Sequence, residues 1–289
     1  MNKIDLHIHT TCSDGSYSPL EIMKKAKAEG IWLISVTDHD TLSGYEECCR
    51  EARRFEVQYI PGIEMSAQFD PGTLHILGYF VNPGNGELQR KIQEVQQARL
   101  DRNPQIIEKL NFHGVEITLK EVQAVAYGSA GGGQEGQQLG RPHFAETLLR
   151  KGYVKTYQEA FEKFLAKGKI AYVDKRRLTS EEIIQAIHQA GGVAVVAHPK
   201  LMRLGEIALE EALEKMVGEG LDGLEVYSSC HGASDVASYQ KLAKRFGLIQ
   251  TGGSDFHGTK KPNVRLGDIG KGFELQEDIY ETLRAKSKM

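Results

Sequence analysis

Seven short apolar runs, most with β-branched character and closed by turn or polar signals, punctuate the chain. They predict strands over Lys3–Ile8, Ile31–Thr37, Val57–Gly62, Thr73–Val81, Val193–Ala197, Gly223–Val226 and Leu248–Thr251. Helical periodicity fills most of the gaps. In "SPLEIMKKAKAEG", Ser18 suits an N-cap, Pro19 the first helical position, Glu21 the capping-box position and Gly30 the stop. "TSEEIIQAIHQAGG" repeats this with Thr179 or Ser180, and "LEEALEKMVGEG" and "ASDVASYQKLAKRFG" are alike. Such alternation predicts an α/β fold with a largely parallel sheet.

One stretch breaks the alternation. From about Gly86 to Lys169 only helix signals occur, the longest running through Pro104. The expectation is a strand-bearing body over residues 1–85 and 170–289, with a helical insert over 86–169 that covers the active site. Within the insert, Gly128–Gly140 ("GSAGGGQEGQQLG") has the composition of the most flexible segment, and the insert is expected to close over a substrate there.

Length and composition narrow the class. The chain has 289 residues, 40% of them hydrophobic, enough for one large domain or a domain with an insert. A net charge of −3 gives no global attraction to nucleic acid or an anionic membrane. A small anionic substrate therefore needs a local positive site. "MNKIDLHIH" lacks the apolar core of a signal peptide, and no apolar run is long enough to cross a bilayer. Cys12, Cys48, Cys49 and Cys230 show neither framework spacing nor a CxxC pair. A reducing, cytoplasmic setting is the expectation, and nothing implies a membrane or a protein partner.

The polar residues gather at strand ends. His7 and His9 close the first strand, and period-two alternation points both to one face. His39 follows the second strand, Glu64 the third, His198 the fifth, and Asp255 and His257 the seventh; His75 lies near the start of the fourth. Asp14 sits in the loop after the first strand. In parallel α/β folds, residues just past the C-terminal strand ends face a common site. Taken singly, each has an ordinary structural explanation. Taken together, they form a set of imidazoles and carboxylates suited to zinc, manganese or iron(II). Nine such groups exceed what one ion takes and suffice for two or three, with a carboxylate bridging. Water bound in such a site has its pKa lowered, to about 7 at a well-studied zinc centre. His113, His188 and His231 lie on helical or loop segments and read as structural.

The set HxH…D, "TDHDT", "GIE", the following His, "AHP" and "GSDFH" resembles the polymerase-and-histidinol-phosphatase (PHP) family. "RPHFAETLL" and "IHQAGGVAVVAHP" are similar to its nucleotide phosphoesterase branch, which includes nucleoside 3′,5′-bisphosphate phosphatases, 5′-3′ exoribonucleases and AMP phosphatases. The resemblance covers nearly the whole chain. It implies a distorted, TIM-like seven-stranded (β/α) barrel with a helical insert and three divalent metal ions. By resemblance, the first ion takes His7, His9, Glu64 and Asp255. The second shares Glu64 and adds His75 and His198. The third takes Asp14, His39 and His257. Asp38 and Asp40 then become candidates to orient His39 or cap a helix.

The same resemblance makes "GRPHFAE" face the metals, with Arg141 as phosphate clamp and His143 as substrate contact or proton donor. An arginine fork and a helix N-terminus both suit phosphate. "DKRRL" departs from the family's usual residues there, and its Lys175 and Arg177 are candidates for a second phosphate or a nucleic-acid backbone. The expected activity is hydrolysis of nucleotide phosphomonoesters by metal-activated hydroxide. A 5′-3′ exoribonuclease on short RNA and a histidinol-phosphate phosphatase are rivals on the same barrel. A metal-binding regulatory module is the non-enzyme rival.

Overall fold

All seven predicted strands form. In the computed structural model, β1 (Lys3–Ile8), β2 (Ile31–Val36), β3 (Gln58–Ser66), β4 (His75–Tyr79), β5 (Val193–Val196), β6 (Gly223–Ser228) and β7 (Ile249–Gly253) make one sheet in sequential order. The structure describes residues 3–127, 139–174, 177–270, 273, 275 and 278–288. The helices among them are α1 (Pro19–Ala28), α2 (Tyr45–Phe55), α3 (Gly86–Phe112), α4 (Leu119–Tyr127), α5 (Arg141–Arg150), α6 (Tyr157–Ala160), α7 (Ser180–Gln189), α8 (Glu206–Gly218), α9 (Ala233–Phe246) and α10 (Ile279–Lys286). Two compact units result. The first comprises Met1–Ile92 and Arg177–Met289 and holds the sheet; the second comprises Gln93–Arg176.

Local sequence signals set the helix starts. The Ser18 hydroxyl accepts the Glu21 N–H (3.3 Å) while the Glu21 carboxylate accepts the Ser18 N–H (2.8 Å). Thr179 and Glu182 make the same reciprocal pair at α7. Each such cap stabilises its helix by about 1 kcal/mol.

Strand direction carries one departure from a parallel barrel. β1–β2, β2–β3, β5–β6 and β6–β7 pair parallel, whereas β4 is antiparallel to both β3 and β5. The link from Ser66 to His75 is too short for a helical crossover, so β4 returns as a hairpin arm. The start of β4 therefore lies at the same rim as the ends of its neighbours.

The sheet nearly closes on itself. Ile8 bridges Phe256, the Asp255 N–H donates to the His7 carbonyl and the His9 N–H to the Phe256 carbonyl, both at 2.9 Å. A Cβ at Gly253 would stand 2.2 Å from the Cβ of His7, so this seam requires glycine. Buried Asp5 holds the same seam, accepting from the Ser254 N–H (2.8 Å), the Ser254 hydroxyl (2.6 Å) and the Gly267 N–H (2.8 Å).

Two apolar layers support the barrel. One gathers Leu6, Leu33, Ile60, Leu77 and Val195 from β1 to β5, with Ile279 and Leu283 of α10. The other packs Ile8, Ile34 and Val36 against Ile22 and Met23 of α1 and Cys48 and Ala52 of α2. Leu6 and Ile8 thus fall in different layers, which strict alternation forbids. The cause is a bulge: Asp5 to Ile8 spans three steps of β1 against two of β2, Ile34 to Val36.

The second unit has its own core. Phe144 and Leu148 of α5 are fully buried with Ile106 and Leu110 of α3 and Val122 of α4. Pro104 lies inside α3 without ending it. Residues 128–138 of the Gly-rich stretch lie outside the described residues. Among the described residues no helix is long and apolar enough to cross a membrane, and all four cysteines are free thiols.

Candidate metal centre

The nine predicted side chains all come from the first unit, and the barrel rim brings them together. The β1 bulge leaves His7 and His9 converging, with their Nε2 atoms 3.2 Å apart. Asp5, which alternation would place beside them, turns to the seam instead. Glu64 lies inside β3 rather than beyond it and occupies the middle of the group. Its Oε2 is 3.3 Å from His7 Nε2, 3.1 Å from His9 Nε2 and 3.0 Å from His39 Nδ1. Its Oε1 is 2.7 Å from His75 Nδ1 and 2.9 Å from His198 Nε2.

Asp255 Oδ1 lies 3.7 Å from His7 Nε2 and 3.4 Å from His9 Nε2. Asp14 closes the other side, 3.3 Å from His257 Nε2, 3.7 Å from His9 Nδ1 and 4.0 Å from His39 Nε2. The potential ligand atoms cluster as His7, His9 and Asp255; as His7, Glu64 and His198; as His39, Glu64 and His75; and as His9, Asp14, His39 and His257. Each set spans less than 4.8 Å.

The arrangement suits cations. Asp14, Glu64 and Asp255 present three carboxylates to one small space, which would repel a phosphate unless positive charge lay between. Among the described residues, buried His9 Nδ1, Asp14 Oδ1, His39 Nδ1, Glu64 Oε2 and His198 Nδ1 have no hydrogen-bond partner, although such groups are normally satisfied. Imidazole nitrogens and carboxylate oxygens without a thiolate match zinc, manganese or iron(II). The His7, His9 and Glu64 side chains are wholly buried, whereas those of Asp14, His39 and His75 are 15, 19 and 16% exposed. The open side of the centre is therefore the Asp14–His39–His75 edge.

Electrostatics tie the group together. Burial opposes charging His7, but Glu225 and then Glu64 outweigh it and hold its pKa well above the ordinary imidazole value. For His9, burial is likewise outweighed, by Asp255 and Glu64, and the pKa rises to about 9. Burial dominates at His75, which falls to about 4. Burial raises the Glu64 carboxyl, but His39, His75 and His7 together hold it well below the carboxylate range. Asp14 and Asp255 are likewise held low against burial, each chiefly by His257.

Supporting side chains complete the rim. Asp38 accepts from the Thr10 N–H (2.8 Å), the Thr10 hydroxyl (2.6 Å) and the Ser13 hydroxyl, fixing the turn that leads to Asp14. Asp40 accepts the Ser66 N–H (2.9 Å) at the end of β3. Sequence reasoning overlooked two residues. Lys261 pairs with Asp255 Oδ2, and Glu225 lies 3.0 Å from His7 Nδ1. A lone glutamate in the apolar run "GLEV" was the available signal for the second; Lys261, in a loop, offered none. His231 is buried, with Nδ1 on the Val226 carbonyl, and His188 pairs with Asp222, both bonded within the body.

The remaining predicted residues lie elsewhere in the chain. Arg141 opens α5, donates to the Leu165 carbonyl (3.2 Å) and lies over the Tyr172 ring. His143 Nδ1 accepts the Gly140 N–H (3.0 Å), which leaves the ring proton of the neutral form on Nε2. Arg177 precedes Leu178, which bridges Ala67. Lys175 lies outside the described residues.

Known proteins share this plan. The chain is 31% identical to a 3′,5′-nucleoside bisphosphate phosphatase of Chromobacterium violaceum over 89% of its length and 88% of the relative's. It is 29% identical to a 5′-3′ exoribonuclease of Haemophilus influenzae over 88% of its length and 90% of that chain. A crystal structure from Bifidobacterium adolescentis, assigned as a metal-dependent phosphoesterase, superimposes with a TM-score of 0.87 at 28% identity, covering 99% of this chain and 96% of that one. Fold and site together define a metal-dependent phosphoesterase. More narrowly, the chain belongs to the PHP domain family, whose sequence profile matches residues 5–194.

Proposed function

We propose that this chain hydrolyses phosphomonoesters of nucleotides, namely 3′,5′-nucleoside bisphosphates such as pAp, or AMP. The observation that carries this reading is the convergence of five imidazoles on the Glu64 carboxylate, flanked by Asp14, His257 and Asp255. In this reading three divalent ions, manganese, zinc or iron(II), are held by His7, His9, Asp14, His39, Glu64, His75, His198, Asp255 and His257. Bound there, they neutralise phosphoryl charge and make water acidic enough to react near neutral pH. The nucleotide preference is supported by the names of the two relatives.

The chain's own residues supply orientation and proton handling. Asp38 fixes the loop bearing Asp14, so the exposed edge is preorganised for an incoming phosphate. Arg141, at the start of α5, is the phosphate clamp, its guanidinium oriented by Leu165 and Tyr172. His143 is the substrate contact or proton donor: with Nδ1 accepting from Gly140, Nε2 carries the proton of the neutral ring. Lys175 and Arg177 are candidates for a second phosphate, the feature that distinguishes pAp from AMP. The cysteine pattern supports a cytoplasmic setting.

The test is turnover of pAp, AMP, histidinol phosphate and a short 5′-phosphorylated RNA side by side, before and after chelation. Expected are activity on the mononucleotides, its loss on chelation with the fold retained, and its return with manganese. Preferred turnover of RNA would replace this reading with an exoribonuclease, and preferred turnover of histidinol phosphate with an amino-alcohol phosphatase.

A further inference from the structure

Glu225 is a wholly buried carboxylate in the middle of β6. A buried carboxylate is strongly destabilising unless charged or polar partners satisfy it. Among the described residues Glu225 has two, one for each oxygen. Oε1 lies 3.0 Å from His7 Nδ1, and Oε2 accepts the backbone N–H of His198 at 2.6 Å.

Both partners belong to the centre. His7 directs Nε2 inward, 3.2 Å from His9 Nε2 and 3.3 Å from Glu64 Oε2. An imidazole that offers the Nε2 lone pair to a cation must keep its proton on Nδ1, and that proton faces Glu225. His198 reaches Glu64 Oε1 from a backbone at φ 26° and ψ 65°, a conformation rare outside glycine. Its N–H is fixed by the same carboxylate.

From this geometry we infer that Glu225 is a positioning residue that sets the His7 tautomer, locks the strained His198 backbone, and so couples two ligand sets that share His7. His7 groups with His9 and Asp255 in one set and with Glu64 and His198 in another. Among the described residues Glu225 belongs to none of the four ligand sets; it acts through the two histidines. The inference rests on the metal-centre reading above.

The experiment compares wild type with Glu225→Gln. The amide keeps size and shape but can accept only one of the two bonds, because its NH2 end faces a donor. Manganese affinity is measured by titration of chelated protein, with retained metal read by elemental analysis. Expected is a ten- to hundred-fold weaker uptake of part of the metal complement, roughly the effect of losing an outer partner of a metal-bound histidine. Activity should fall more at limiting than at excess manganese. Unchanged affinity and stoichiometry in Glu225→Gln would overturn the inference while leaving the centre intact. Failure of the wild type itself to take up manganese would instead overturn the centre. If Glu225→Gln does not fold, Glu225→Asp decides: its carboxylate falls one methylene short of both donors, so weaker manganese uptake is expected, and wild-type uptake refutes the inference.

Discussion

His75 Nδ1 lies 2.7 Å from Glu64 Oε1, although the two residues belong to strands of opposite direction. Ser66 pairs with His75 across the hairpin, and Glu64 stands two residues earlier, opposite Leu77. The reversed strand thus contributes its first residue to a rim otherwise built from strand ends. Glu64 is the shared hub: five imidazoles approach its two oxygens within 3.3 Å.

Replacing that hub should disable the centre without collapsing the barrel. Glu64→Gln removes the charge that every one of those imidazoles faces. Metal retention should fall, and kcat/KM by at least about 100-fold, since an outer partner alone is worth 10–100-fold. Elemental analysis, circular dichroism and a phosphatase assay on one preparation check this. Wild-type metal content in the variant would remove Glu64 from its role.

Arg141→Ala should weaken both substrate affinity and turnover, and Arg141→Lys should recover little, because an ammonium cannot reproduce the bidentate fork. A fall in kcat/KM of about 100-fold corresponds to about 2.7 kcal/mol of lost transition-state binding. Steady-state kinetics with pAp and AMP provide the measurement. Unchanged kcat and KM in Arg141→Ala would dismiss the clamp.

The β1–β7 seam should tolerate no side chain at Gly253. The added methyl would overlap His7 Cβ at 2.2 Å, and no flexible group is there to yield. Gly253→Ala should lose about 1–3 kcal/mol by overpacking, and metal retention with it, because His7 must shift. Urea unfolding of the chelated protein separates the first effect from the second.

Acid stability should depend on Asp222 at the opposite end of the barrel. Burial raises its pKa, but His188 (2.7 Å), the Ala194 N–H (2.9 Å) and Lys286 (3.1 Å) outweigh it and leave the carboxyl below its ordinary value. A depressed folded-state pKa contributes stability above the unfolded value, about 3.9, and loses it as pH falls through the folded one. Asp222→Asn should therefore cost about 1–3 kcal/mol at pH 7, with the gap to wild type narrowing below about pH 4. Urea melts of both proteins from pH 3 to 8 would show it; a constant gap would contradict the sign.

Most of the barrel was legible because local signals and the global fold agree. Ser18–Glu21 and Thr179–Glu182 announce their helices, and most strands are apolar runs ending near polar chemistry. The nine ligand-type residues were legible for the same reason: rims collect what strand ends carry. Reversal of β4 is a pairing choice that a one-dimensional pattern does not encode. The bulge at Asp5–Ile8 was invisible, since period two assumes equal steps on both strands. Glu225 was missed because one carboxylate in an apolar run declares its partners only after β6 is set beside β7 and near β1. For Arg141 the sequence gives the helix start, while its partners Leu165 and Tyr172 depend on how the second unit folds.

The seam at Asp5, Ser254 and Gly267 has a consequence for biosynthesis. A nascent chain that has emerged as far as His75 already carries six of the nine candidate ligands, His7, His9, Asp14, His39, Glu64 and His75. It still lacks His198, Asp255 and His257, and it lacks the stitch that pins the first strand to the last. A ribosome-bound fragment that stops there therefore holds no closed cage, and phosphoesterase chemistry waits until the chain has been made at least as far as Gly267.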